Sequence, residues 1–167
     1  PGNGVRIKVD AAANEGEVLS ASGENIVIPD TVRFGAKYYP VTSVKENAAI
    51  SAVSVFLGKN IESLGEGWFA NTEMQILVDE QNEYFTIFDN ILYTKTTWEF
   101  IFIPSELATS LIIPEGVTKI PQKCFENHSE ITEITLPSSL EMIETNAFKG
   151  CTGLVKAKVP AAIAGYL

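Results

Sequence analysis

Residues 111–133, LIIPEGVTKIPQKCFENHSEITE, lie over residues 134–156, ITLPSSLEMIETNAFKGCTGLVK, without a gap. Val117 then falls on Leu140, Ile120 on Ile143, Phe125 on Phe148 and Ile131 on Leu154. Pro114, Pro137 and Pro160 set the interval at 23 residues, and an apolar–any–apolar triplet precedes each of them. A fixed period of this length marks a repeat solenoid, in which each unit buries its apolar edge only against its neighbours. The alternation before the proline reads as a short strand, with Leu111 and Ile113 inward and Ile112 outward. The proline ends the strand because it has no N–H to give to a ladder. The phenylalanine follows a polar turn, where one helical or 3₁₀ turn would return the chain.

Earlier segments keep the frame less strictly. Residues 55–78 carry Val55-Phe56-Leu57-Gly58, Ile61, Leu64 and Trp68-Phe69, with Gly58 in the proline place. The first unit has Ile26-Val27-Ile28-Pro29 and resumes at Val41-Thr42-Ser43-Val44 after an insertion, residues 35–40, that reads as a turn. Residues 79–99 abandon the repeat. Phe85–Phe88, a turn at Asp89-Asn90, Ile91–Tyr93, a turn at Lys95–Thr97 and Trp98–Ile103 predict tight hairpins. The expected organisation is one domain: a β cap over 1–25, a solenoid over 26–160 with an irregular β insertion at about 79–99, and a terminal cap over 161–167. In the first cap, Val5–Val9 alternates and Glu17–Ala21 is its expected partner.

Composition narrows the class. At 167 residues and 46% hydrophobic, the chain can bury a core and is not of disordered type. A net charge of −9 argues against nucleic acid or an anionic membrane surface, both of which need a basic patch. No apolar run approaches the roughly 20 residues of a membrane span. The start, Pro1-Gly2-Asn3-Gly4, has no Met and no signal-peptide pattern and reads as a trimmed beginning. Cys124 and Cys151 are the only cysteines, too few for a disulfide-stapled fold.

Residues 131–154, ITEITLPSSLEMIETNAFKGCTGL, resemble the leucine-rich repeat of BspA-like bacterial surface proteins, and Asn146–Cys151 is the specific part. Lys37–Val44 and Phe88–Tyr93 are similar to recurrent segments of that family. Ala49, in the phenylalanine place, and His128, in the cysteine place, depart from it. The resemblance implies a right-handed leucine-rich-repeat solenoid of short strands and short helical turns. It also implies an exported module at the bacterial cell surface, with a lipoprotein anchor as one form of attachment, acting in adhesion or protein binding. It carries no shared catalytic residues.

The residues themselves offer little chemistry. His128 is the only histidine and no nucleophile is placed beside it, so no catalytic triad can be assembled. Cys124 and Cys151 read as small inward hydrophobes, since bridge geometry is strict. Asp79, Glu80, Glu83 and Asp89 form the densest acidic stretch but lack the spacing of a calcium loop. No phosphate loop or nucleophile elbow occurs. The expectation is a non-enzymatic chain with no cofactor and no metal.

One surface feature points to binding. Two residues before each strand end, the outward column reads Val27, Phe56, Leu77, Phe102, Ile112, Thr135 and Lys158, apolar in its first five members. Half-buried aliphatics suit any sheet, so the column can be mere strand propensity. A contiguous exposed apolar stripe, in contrast, marks an interaction surface. Phe56, Leu77, Phe100, Phe102 and Ile112 are therefore the candidate binding residues for a protein partner, a host extracellular protein among them, or for a glycan. For the glycan, the rings of Trp68, Trp98, Tyr38, Tyr39, Tyr84 and Tyr93 are candidates, with Trp68 expected in the core. A structural spacer for a domain outside this segment is the remaining reading.

Overall fold

The computed structural model describes residues 4–70, 72–161 and 163. The chain divides into two compact units, Pro1–Ile87 and Phe88–Leu167. The expected terminal cap falls almost wholly outside the described residues. Only Ala161 and Ile163 are described there, both in 3₁₀ conformation.

The first unit holds β1 (Arg6–Asp10), β2 (Glu15–Ser20), β3 (Asn25–Ile28), β4 (Thr31–Phe34), β5 (Lys37–Val44), β6 (Ser54–Leu57), β7 (Ser63–Leu64) and β8 (Gln75–Val78). β1 pairs antiparallel with β2, with Ile7 opposite Val18, as the alternation predicts. Two parallel ladders follow. In one, β3, β6 and β8 align Ile26 with Val55 and Val55 with Ile76, and also Ile28 with Leu57 and Leu57 with Val78. Ile26, Ile28, Val55, Leu57 and Ile76 are buried because every second side chain of a strand faces the same way. In the other ladder, β5 lies between β2 and β7, placing Val44 against Val18 and Leu64. The insertion after Pro29 is less of a turn than its sequence suggests. Only Gly35-Ala36 turns, with Gly35 at φ 64°, and Lys37 to Pro40 run back along β4. A glycine at the first turn position supplies the positive φ that a tight hairpin needs.

β9 (Phe85–Phe88) leads into the second unit, which holds β10 (Ile91–Thr94), β11 (Phe100–Phe102), β12 (Ser110–Ile112), β13 (Lys119–Ile120), β14 (Glu133–Thr135), β15 (Met142–Ile143) and β16 (Lys156–Lys158). The 23-residue period becomes spatial register. Leu111 pairs with Ile134 and Ile134 with Ala157, all parallel. A second short ladder sets Lys119 beside Met142 and Ile120 beside Ile143. On the third side the Phe125 N–H donates to the Ala147 carbonyl at 2.8 Å, and the Asn127 N–H to the Lys149 carbonyl at 2.8 Å. Phe125 is fully buried and its ring stacks on Phe148 at 5.3 Å. The return turn is built from i→i+3 hydrogen bonds rather than helix: Cys124 N–H to Pro121 O, and Glu126 N–H to Lys123 O. Left-handed residues recur with the period, Lys123 with Asn146 and Asn127 with Gly150. Leu111, Ile113, Val117, Ile120, Ile131 and Leu140 fill the space between the ladders.

Candidate functional site

The outward column exists in the first unit. Val27 sits in register with Phe56 and Phe56 with Leu77. Val27 is 47% and Leu77 44% exposed, and Phe56 between them is half-buried. Parallel strands stack equivalent side chains about 4.8 Å apart, so the three form a continuous apolar patch. Beside it runs a polar column, Asn25, Ser54 and Gln75, in which the Ser54 hydroxyl donates to Asn25 Oδ1 at 2.7 Å.

The second unit is different. Ile112 is 48% exposed, and its N–H donates to Asp89 Oδ2 at 2.8 Å. Its column continues as Thr135 and Lys158, so the apolar character ends after one residue. The neighbouring column is Ser110, Glu133 and Lys156, with a Lys156–Glu133 ion pair of 3.0 Å.

Phe100 and Phe102 do not face outward as the column requires. Phe102 is buried. Phe100 is half-buried, with its ring 4.9 Å from Tyr93 and 5.7 Å from Phe125. The reason lies in the strand's neighbour. β11 is the return arm of a hairpin with β10, antiparallel to it, and the register shifts between Leu92 and Tyr93. Counting back from Pro104 therefore assigns the wrong face.

The aromatic candidates also separate. Trp68, Tyr39 and Tyr93 are buried, while Tyr38 is 67% and Tyr84 40% exposed. Burial pushes the Tyr93 hydroxyl's pKa far above its ordinary value. Tyr38 lies opposite Arg33 on the β4–β5 hairpin, where Phe34, 62% exposed, lies opposite Lys37. Phe34 and Arg33 escaped the sequence reading because they precede the apparent insertion and belong to no repeat.

Trp98 is half-buried and stands over a half-open cavity of about 690 Å³, within the range of small-ligand sites. Its walls include Glu99, Phe100, Gly116, Thr118 and Lys119. Trp98 has φ 53°, an uncommon backbone for a bulky residue. Its N–H donates to the Thr94 carbonyl at 3.1 Å, and the Thr94 and Thr97 hydroxyls lie 2.7 Å apart, which closes the turn. Gly116 has φ 102°, and a β-carbon built there would run into indole Cδ1.

The remaining candidates have structural partners. His128 Nδ1 lies 2.7 Å from Glu130 Oε1, and the Leu107 N–H also reaches that oxygen at 3.3 Å. Partial burial disfavours the Glu130 charge, but these hydrogen bonds outweigh it and hold the carboxyl below its ordinary range. Both cysteines are free, and the Cys151 thiol lies 3.0 Å from the Phe125 carbonyl. Burial pushes the Cys124 thiol's pKa far up, so it stays protonated and unreactive at neutral pH. Among the described residues no group of three or more His, Cys, Asp or Glu could hold a metal ion. Nor is any described helix long and apolar enough to cross a membrane.

Residues 105–165 match the family described as BspA type Leucine rich repeat region (6 copies). Over that segment the chain carries the BspA-type leucine-rich repeat. This repeat is a protein-interaction fold. The structure is similar to a leucine rich cell surface protein from Faecalibacterium prausnitzii A2-165, with a TM-score of 0.60 at 18% identity, covering 94% of this chain and 53% of that one. It is also similar to a leucine-rich repeat protein from Bacteroides ovatus ATCC 8483, with a TM-score of 0.62 at 17% identity, covering 97% and 53%. The pneumococcal vaccine antigen PcpA gives a TM-score of 0.53 at 14% identity, covering 96% and 70%. At these identities the likeness is one of fold. The chain spans about half the length of the first two structures. No curated protein matches it.

Proposed function

We propose that this chain is a non-enzymatic, exported module that binds a protein partner at the bacterial cell surface, in adhesion. The registered apolar patch of Val27, Phe56 and Leu77 carries the reading. It presents apolar side chains in a fixed row, with a row of uncharged polar groups alongside. Rigid rows of this kind suit a protein surface, where a few desolvated apolar anchors supply most of the binding energy. The surface address draws on the F. prausnitzii protein, which is named as a cell surface protein.

The test is binding of the full chain to an immobilised panel of host extracellular-matrix proteins, with Phe56→Asp/Leu77→Asp as the paired variant. Both substitutions face outward, so the fold should survive them. We expect saturable binding to at least one matrix protein and a loss of about tenfold or more in the variant, equivalent to ~1.4 kcal/mol. Binding that is indifferent to the pair would move the interface elsewhere. No binding anywhere on the panel would remove the adhesion reading.

A further inference from the structure

We infer that the cavity beside Trp98 in the second unit is a saccharide site that takes a neutral pyranose ring. Its lining residues are separate from the apolar patch of the first unit. Two independent observations meet at this cavity. The first is the composition of its wall. A half-buried indole and the Phe100 ring supply flat apolar surface, while Thr96 and Thr118 supply exposed hydroxyls and Glu99 an exposed carboxylate. A pyranose has the complementary make-up, with C–H bonds on its faces and hydroxyls round its edge. Aromatic faces accept the former and carboxylates and hydroxyls the latter. A peptide's apolar side chain would use the rings but leave the polar groups at the mouth unmatched.

The second observation is the backbone. Trp98 is held in the left-handed region by the Thr94–Thr97 turn, and Gly116 is held there opposite it. Only a residue without a β-carbon leaves room for the indole at that point. Strained positions of this kind gather at ligand sites, where the surrounding structure fixes a side chain in advance. Pre-set rings lose little entropy on binding.

Charge selects among sugars. Lys119 reaches the cavity, but its ammonium lies 3.3 Å from Glu144 Oε1 and is already matched. The Glu99 carboxylate is in no ion pair with another described residue, and it sets a negative charge at the mouth that disfavours uronic or sialic acids. A neutral sugar instead offers hydroxyl donors to it.

The experiment uses the ¹⁵N-labelled full chain, whose two tryptophans give two indole N–H signals, assigned with Trp98→Phe. Maltotetraose, cellotetraose and chitotetraose are titrated to about 10 mM, with tetragalacturonate as the acidic control, a range that covers weak millimolar sites. The expected result is a saturable shift of the Trp98 indole with at least one neutral saccharide, no shift of Trp68, and binding of the acidic control about tenfold weaker. Thr118→Trp, an exposed change that fills the cavity, should abolish the shift while leaving the melting temperature unchanged. A flat Trp98 signal with all three neutral saccharides overturns the assignment, as does a shift that persists in Thr118→Trp.

Discussion

Among the described residues, Asn82 is the one buried polar side chain in the core of the first unit, 1% exposed. Its amide nitrogen donates to the carbonyls of Gly58 and Ile61, both at 2.9 Å. Its Oδ1 accepts from the N–H groups of Tyr84 and Phe85, both at 2.8 Å. One side chain thus ties the turn after β6 to the entry of β9. Replacement by alanine leaves two carbonyls and two amides without that partner at a largely buried site. Each unsatisfied buried group costs about 1–3 kcal/mol, so Asn82→Ala should destabilise by at least ~2 kcal/mol. Asn82→Asp should be no better, because a carboxylate accepts from the two amides but repels the two carbonyls. Denaturant midpoints at neutral pH measure both changes. An alanine variant within ~0.5 kcal/mol of the parent, the usual range of a surface substitution, would show that the joint does not matter. Sequence alone hides this residue, since an asparagine within Asp79–Glu83 looks like any polar turn position.

Strands of three or four residues cannot stand alone, so each element here depends on its neighbours. β14 lies between β12 and β16, while β16 pairs with β14 and is exposed along its length. Amide exchange should follow that order. The Leu136 N–H, bonded to the Lys158 carbonyl, and the N–H groups of β14 should exchange more slowly than those of β16. Equal protection across the ladder would contradict this. The same ladder explains what the sequence made legible. Where the period held at 23, register followed residue by residue, as with Leu111, Ile134 and Ala157. The β13–β15 ladder was not foreseen, because two-residue strands have no alternation to read. Phe100 and Phe102 were misassigned because parity carries across a repeat but not across a hairpin. The Trp98 cavity was invisible because it needs a left-handed tryptophan and a distant glycine to meet.

At the scale of the whole molecule, 21 acidic residues against 12 basic ones make carboxylates the chief source of pH dependence. Several are held below their ordinary range. Glu115 accepts from the Ser138 N–H at 2.9 Å, the largest influence on it, and also from the Ser138 hydroxyl at 3.0 Å. Glu144 is lowered first by the Gln122 N–H and then by Lys119. Asp10 is lowered by the N–H groups of Ala13 and Ala12. A carboxyl with a lower pKa in the folded state binds its proton more tightly once unfolded. Its contribution is therefore complete above the unfolded value of about 4.3 and is lost as pH falls through the folded one. Relief of the −9 self-repulsion acts in the opposite sense on the same descent, and added salt screens it out. In moderate salt the melting temperature should hold nearly level from pH 7 to about 5 and fall below about 4. Glu115→Gln isolates one group. The glutamine keeps an acceptor oxygen but not the charge, so the variant should melt below the parent at pH 7 and converge with it near pH 3. A gap of the same size at both pH values would mean that shape, not charge, makes Glu115 useful. That would leave the acid sensitivity of the fold to the other carboxyls.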